Sequence, residues 1–154
     1  MTMPRVHGDP VYGAARPDDE PAIKVLLAEC GLPTSDLTPE LLAHFMVCRA
    51  ADRVVGVAGL QVAGQAALLR SLAVSPGERG LGIGKELVRR AEAHARELGV
   101  DELYLLTTSA ERFFAARGYR AVARESPPDA VRATAEFANL CPASSICMTK
   151  RLPA

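Results

Sequence analysis

Three glycines at alternate positions, Gly80, Gly82 and Gly84, stand between the apolar run ALLRSLAV and a long amphipathic run. Arg79 precedes them and Lys85 follows. Glycine lets backbone amides approach a ligand with no Cβ in the way. A helix start adds unpaired N–H groups and a partial positive charge. Together they suit a phosphate-bearing anion. A glycine-rich turn that only permits close packing would use the same residues, so spacing alone leaves both readings open. Two phosphate motifs are excluded. A P-loop needs Ser or Thr after Gly-Lys, but Glu86 follows Gly84-Lys85, and Arg79 stands where the motif's first glycine belongs. The dinucleotide fingerprint needs G-x-G-x-x-G, whereas the spacing here is G-x-G-x-G.

The composition narrows the partners. The chain has 154 residues, enough for one core, and we expect a single domain over 10–154 after a flexible tail over 1–9. Lys+Arg and Asp+Glu both number 18, so a nucleic-acid or membrane-surface partner has no bulk electrostatic support. The start MTMPRVHGDP lacks an apolar targeting core, and no run reaches the ~18 apolar residues of a membrane span. Cys30, Cys48, Cys141 and Cys147 form no C-x-x-C pair, which favours a reduced, cytoplasmic setting.

The elements that must position these residues follow from periodicity. Residues 10–16 suit a first strand. DDEPAIKVLLAECG suits a helix, with Ile23, Leu26, Leu27 and Cys30 on one face and Gly31 at its end. TPELLA suits a short second helix. HFMVCRA and RVVGVAGLQVA are joined by Ala51-Asp52, a tight-turn pair, and AALLRSLAV follows Gly64-Gln65, so an antiparallel meander is expected. After the glycines, Ile83, Leu87, Ala91, Ala95 and Leu98 share one helical face, and Gly99 stops it. ELYLLTT suits a strand buried on both faces. SAERFFAARG suits a helix capped by Ser109 and stopped by Gly118. YRAVAR is a strand, SPPDAVRATAEFANL a helix, and SSICMTKRL the last strand. This order predicts an α/β layer structure with a mixed sheet.

Arg79-Gly80-Leu81-Gly82-Ile83-Gly84 matches the (Gln/Arg)-x-x-Gly-x-(Gly/Ala) signature of the GNAT N-acetyltransferases. LLRSLAVSPGERGLGIGKELV resembles that family's fourth strand, pyrophosphate loop and third helix, and SAERFFAARGYRAV its later helix and strand. The resemblance extends from about residue 10 to 152. It implies a GNAT-type fold, a mixed, mostly antiparallel, splayed sheet with helices on both faces, and acetyl-coenzyme A as donor without a metal. Backbone amides of Gly80, Leu81, Gly82, Ile83, Gly84 and Lys85, with Arg79, would hold the pyrophosphate. Leu72, Ala73 and Val74 would bond the pantetheine arm and orient the thioester carbonyl, which is oxyanion-hole work. The family often protonates the leaving thiolate with a Tyr four residues before the helix-ending Gly. Phe114 holds that position and cannot donate. It remains a coenzyme-contacting candidate, while Tyr119, another hydroxyl or water would serve as acid. The runs ALLRSLAV, ELYLLTT, FFAARGY and RATAEFANLCPASS are also similar to the group associated with arsenic-resistance operons. That implies a small acceptor, extending to a toxic amino-acid analogue, and allows a homodimer.

The amine must lose a proton before it attacks the thioester. Glu136 is the first choice as base and His44 the alternative. Arg70, alone in a Leu- and Ala-rich strand, suits a clamp on an acceptor oxyanion, or is a surface arginine. Its neighbour Ser71 and the strand-ending Thr107 and Thr108 are acceptor-lining candidates. Arg132 and Glu136 are spaced i,i+4. They form either a surface ion pair or, with Thr134, the polar face of a helix covering the acceptor. Cys141 is the better acceptor-side cysteine, Cys147 the buried one. No His-rich ligand set accompanies them, so no metal is expected. The alternatives are a peptide acetyltransferase, a non-catalytic coenzyme A sensor and a metalloid-binding protein.

Overall fold

The structure, a computed structural model, describes residues 9–153. The expected tail lies, but for Asp9, outside the described residues. Strands β1 (Val11–Ala14), β2 (Phe45–Ala50), β3 (Arg53–Ala63), β4 (Ala66–Val74), β5 (Glu102–Thr107), β6 (Arg120–Val122) and β7 (Ile146–Arg151) join in the order β1-β2-β3-β4-β5-β7-β6. The helices are α1 (Glu20–Glu29), α2 (Pro39–Leu42), α3 (Ile83–Glu97), α4 (Glu111–Ala116) and α5 (Asp129–Arg132). The β4–β5 pair is parallel, and β1–β2, β2–β3, β5–β7 and β6–β7 are antiparallel. This is the mixed, mostly antiparallel α/β sheet expected. The chain packs as two compact units, residues 9–59 with 71–91 and residues 60–70 with 92–153.

In the first unit, Ala51 and Asp52 take φ of 51° and 65°, as a two-residue hairpin turn requires. Consecutive strand residues face opposite sides, and β3 uses both. Val57 joins Ile23, Leu26 and Leu27 of α1 with Phe45, Val47 and Ala73 in one core cluster. Gly56, on the other face, lies under Ile83 and Leu87 of α3, so α1 and α3 cover opposite faces. Bidentate pairing of the Asp19 carboxylate with Arg49 ties the start of α1 to β2, and that hydrogen-bonded guanidinium holds the Asp19 pKa down. Ile83, Leu87, Ala91 and Ala95 are buried as the periodicity predicts. Leu98 is 40% exposed because α3 ends at Glu97 and Leu98 falls in the closing turn.

The floor of this core holds an unusually close contact. A Cβ on Gly59 would stand 2.2 Å from the ring of Phe45, itself 2% exposed. The ring lies on bare backbone and is enclosed, so it has nowhere to go. Gly59→Ala should therefore destabilise the protein by about 1–3 kcal/mol through overpacking, read as a lowered midpoint in urea with unchanged slope. An unchanged midpoint would mean that the ring relocates freely.

In the second unit, β4 pairs with β5 only from Ala66↔Glu102 to Leu68↔Tyr104, while β5 continues along β7 to Thr107↔Ile146. The two parallel strands therefore part after Leu68. Tyr104, Val131, Phe137 and Cys147 gather with Ala63, Ala66 and Leu68 in this unit's core.

Two expectations are corrected here. Ser109 does not cap α4: the cap position is Ala110, whose N–H is taken by the Thr107 hydroxyl at 2.9 Å. Nor is SPPDAVRATAEFANL one helix. Helix α5 stops at Arg132, and a π-helical turn follows from Glu136 to Leu140. The cause is Thr134, whose hydroxyl donates to the Val131 carbonyl at 2.8 Å and accepts from the Phe137 N–H at 3.3 Å. Such local side-chain bonds offer the backbone an alternative to the helix ladder. The interruption rotates the two halves, so the i,i+4 pairing of Arg132 with Glu136 is not made. Arg132 turns to Asp129 and the Pro127 carbonyl on the surface, while Glu136 turns inward.

Candidate active site

The glycine loop lies within the first unit. Strand β4 ends at Val74, a single helical turn spans Pro76–Glu78, and α3 begins at Ile83. Gly80 and Gly82 take φ of 82° and 81°, a left-handed conformation that costs other residues ~1–2 kcal/mol. Gly84 already lies inside α3. Positions where a Cβ on Gly80 or Gly82 would stand have no atom within 4 Å, so the glycines meet a backbone demand and leave open space above them. The first helical bond runs from the Glu86 N–H to the Gly82 carbonyl, at 3.1 Å. The N–H groups of Ile83, Gly84 and Lys85 therefore have no partner inside the helix. Leu81 and Lys85 are exposed beside them.

Arg79 braces this loop. Its Nε donates to the Val74 carbonyl at 3.1 Å, and its terminal nitrogen reaches the Cys30 sulfur at 3.5 Å. The Cys30 thiol also approaches that carbonyl, at 3.8 Å. Glu86, the acid of the first turn, is held by Arg89 and Arg90 at 2.6 and 2.7 Å, and these hydrogen bonds lower its pKa to about 2. The acid of the first turn is thus bonded to its own helix. Leu72 and Val74 are half-buried and Ala73 buried. Ser71 has φ of 59° inside β4, a left-handed residue in the middle of a strand. His44, half-buried between α2 and β2, lies in this unit too.

The second unit brings Arg70 and Glu136 together. The Arg70 side chain has no exposed surface and Glu136 is 4% exposed; their charged groups stand 3.4 Å apart. Arg70 also donates to Gln61 at 2.9 Å. Gln61 is a partner that sequence reasoning missed, although it was the one polar residue inside VVGVAGLQVAG. Thr134 is buried in its own turn. Thr107 is buried with its hydroxyl bonded to Ala110, and Thr108 is exposed. Cys141 is half-buried at the end of the π turn, where its N–H donates to the Glu136 carbonyl at 3.0 Å. Arg132 stays exposed on the far side of the helix break.

Tyr119 occupies a separate network. Its hydroxyl donates to Glu92 at 2.9 Å, and Lys150 meets both Glu92 oxygens at 3.0 and 3.1 Å. Burial, then the Glu92 charge, pushes the phenol far above its ordinary pKa. The Tyr119 hydroxyl is thus engaged with Glu92. Phe114, 6% exposed, meets the Tyr119 ring edge-on with centroids 5.6 Å apart. Glu92 and Lys150 carried no motif that would have marked them. Cys147 is buried, which raises its thiol pKa to about 11. Among the described residues, no three His, Cys, Asp or Glu side chains gather as a metal-ion group, and no helix is long and apolar enough to cross a membrane.

Residues 11–120 match the acetyltransferase (GNAT) family. An amino-acid acetyltransferase of Azotobacter vinelandii is 44% identical over 62 residues, which is 40% of this chain but 14% of that protein. The chain thus spans only a small part of the curated relatives it matches first. The solved structure of Rv2747 from Mycobacterium tuberculosis, in complex with CoA and NLQ, aligns with a TM-score of 0.79 and 27% identity over 93% of this chain and 99% of that one. The N-acetylglutamate synthase of Neisseria gonorrhoeae, complexed with coenzyme A and N-acetyl-glutamate, aligns with a TM-score of 0.82 and 22% identity over 96% of this chain and 36% of that one. With the signature loop opening α3 and a family match across most of its length, this chain belongs to the GNAT family of acetyltransferases.

Proposed function

We propose that this chain transfers the acetyl group of acetyl-coenzyme A directly to the amine of a small, amino-acid-like metabolite. The observation that carries the reading is the start of α3, where two left-handed glycines precede three N–H groups with no partner inside the helix. Those amides, from Gly80 to Lys85, hold the pyrophosphate. Arg79 keeps the loop tied to the end of β4. Because the Val74 carbonyl already accepts from Arg79, the pantetheine bonds are assigned first to Leu72 and Ala73. Phe114 contributes packing and no proton. The coenzyme leaves as a thiolate that takes its proton from water, which is tolerable for a thiol of pKa near ~8.5.

Arg70 clamps an oxyanion of the acceptor, and Glu136 takes the proton from its ammonium. The freed amine nitrogen then bonds to the thioester carbon as the carbon–sulfur bond breaks, and the second proton that this nitrogen sheds passes through water to the coenzyme thiolate. An amino-acid-like acceptor is favoured by the curated relatives named amino-acid acetyltransferase. Similarity to the arsenic-resistance group extends this to a toxic amino-acid analogue. A net charge of zero favours a small molecule over a nucleic acid or a charged membrane.

The test is coenzyme A thiol release from acetyl-coenzyme A with a panel of α-amino acids and simple primary amines, alongside calorimetry of acetyl-coenzyme A. Amine-dependent release is expected. Tight acetyl-coenzyme A binding without release for any amine would favour a sensor. No binding at all would remove the donor assignment.

A further inference from the structure

The most unusual polar feature is the Arg70–Glu136 pair. Removing a guanidinium and a carboxylate from water costs several kcal/mol per ion, and a buried pair often stabilises a fold no better than apolar residues of equal volume. Here the cost is met on a strand whose other residues are Leu, Ala, Val and one Ser. The charged groups stand 3.4 Å apart, and Arg70 also donates to Gln61.

The partners belong to different kinds of backbone. Arg70 is fixed in β4, next to the left-handed Ser71 and two residues before Leu72. Glu136 comes from the π turn that follows the break at Thr134, an irregular segment outside the sheet. π-Helical turns of this kind recur at functional sites.

We infer that the Arg70–Glu136 ion pair is a resting-state stand-in for a zwitterionic acceptor, which opens the pair and satisfies both halves. The inference rests on the acetyltransferase reading above. An α-amino acid carries one carboxylate and one ammonium. Its carboxylate replaces Glu136 on Arg70, and its ammonium replaces Arg70 on Glu136. The exchange leaves no buried charge unpaired. A ligand carrying only one of these charges breaks the pair and replaces the opposite charge for one half alone, and breaking a buried ion pair from one side is heavily penalised. The pair would thus reject simple amines and simple carboxylates alike. It would also keep the Glu136 carboxylate occupied until an acceptor that can be acetylated arrives.

The experiment compares three ligands built on one side chain: the best α-amino acid of the thiol-release panel, its decarboxylated amine and its α-hydroxy acid. Affinities are measured by calorimetry on the wild-type protein saturated with coenzyme A. The amino acid should bind at least 100-fold more tightly than either single-charge analogue. In Glu136→Gln the hydroxy acid should then bind at least tenfold more tightly than in wild type, because its carboxylate no longer competes for Arg70. A merely structural ion pair would leave that affinity unchanged or weaken it. Similar wild-type affinities for all three ligands would overturn the inference, even if Glu136→Gln fails to fold. Efficient amine acetylation with no preference for the carboxylate would overturn it too, while leaving the acetyltransferase reading in place. Loss of acetyl-coenzyme A binding would instead strike that reading.

Discussion

Gly82→Val should lower acetyl-coenzyme A affinity at least 100-fold, about 2.7 kcal/mol, in a protein that still folds. Two causes act together. At φ of 81° a β-branched residue is strained. The chain relieves that strain by turning the peptide whose carbonyl accepts the first bond of α3. The N–H groups of Ile83 to Lys85 then lose their common direction. In addition, the Cβ branches fill the open space above the loop. Gly84→Val should have the smaller effect, because Gly84 is already helical and adds bulk without that strain. Calorimetry against acetyl-coenzyme A, with circular dichroism as the control for folding, reads both. Unchanged affinity in folded Gly82→Val would move the donor site away from this loop.

Glu136→Gln should reduce acceptor turnover at least 100-fold while acetyl-coenzyme A affinity stays within twofold. The amide keeps the shape of the side chain and can still bond Arg70 through its oxygen. It cannot take the ammonium proton. General-base contributions of this kind are commonly worth 10²–10⁴ in rate. The loss should include kcat, because proton removal belongs to the reacting complex, while the lost ammonium contact raises the acceptor KM. His44 is the competing base, so His44→Gln provides the comparison. Full turnover in Glu136→Gln with a fall in His44→Gln would transfer the role. A fall in Glu136→Gln that tracks a lowered melting temperature, cured by assaying in the cold, would make the residue structural.

The different reach of sequence and structure is visible at these positions. Local patterns marked the donor loop because its chemistry is local: alternate glycines, a flanking Arg79 and the start of a helix lie within six consecutive residues. The same locality made most elements legible. Hydrophobic periodicity marked α1, α3 and the strands, and Ala51-Asp52 and Gly64-Gln65 marked the turns. Where several bonds competed within one short segment, the pattern failed. The i,i+4 spacing of Arg132 and Glu136 in RATAEF fits a helix, but the Thr134 hydroxyl bonds its own turn and breaks that helix. Ser109 has the chemistry of a cap, yet Thr107 reaches the relevant N–H instead.

The sequence by itself determined the family, the fold class and the glycine turn that opens α3, since each depends on neighbours a few positions apart. Only the tertiary structure decided which charges meet. Arg70 and Glu136 are 66 residues apart in the chain and 3.4 Å apart in space, and the Tyr119 hydroxyl donates to Glu92. The left-handed φ of Ser71 was equally hidden, because serine does not favour that conformation and its neighbours in β4 give no sign of it. Burial sets the difference. Inside a protein, a polar group must find whichever partner the packing delivers, and sequence spacing carries no record of that choice.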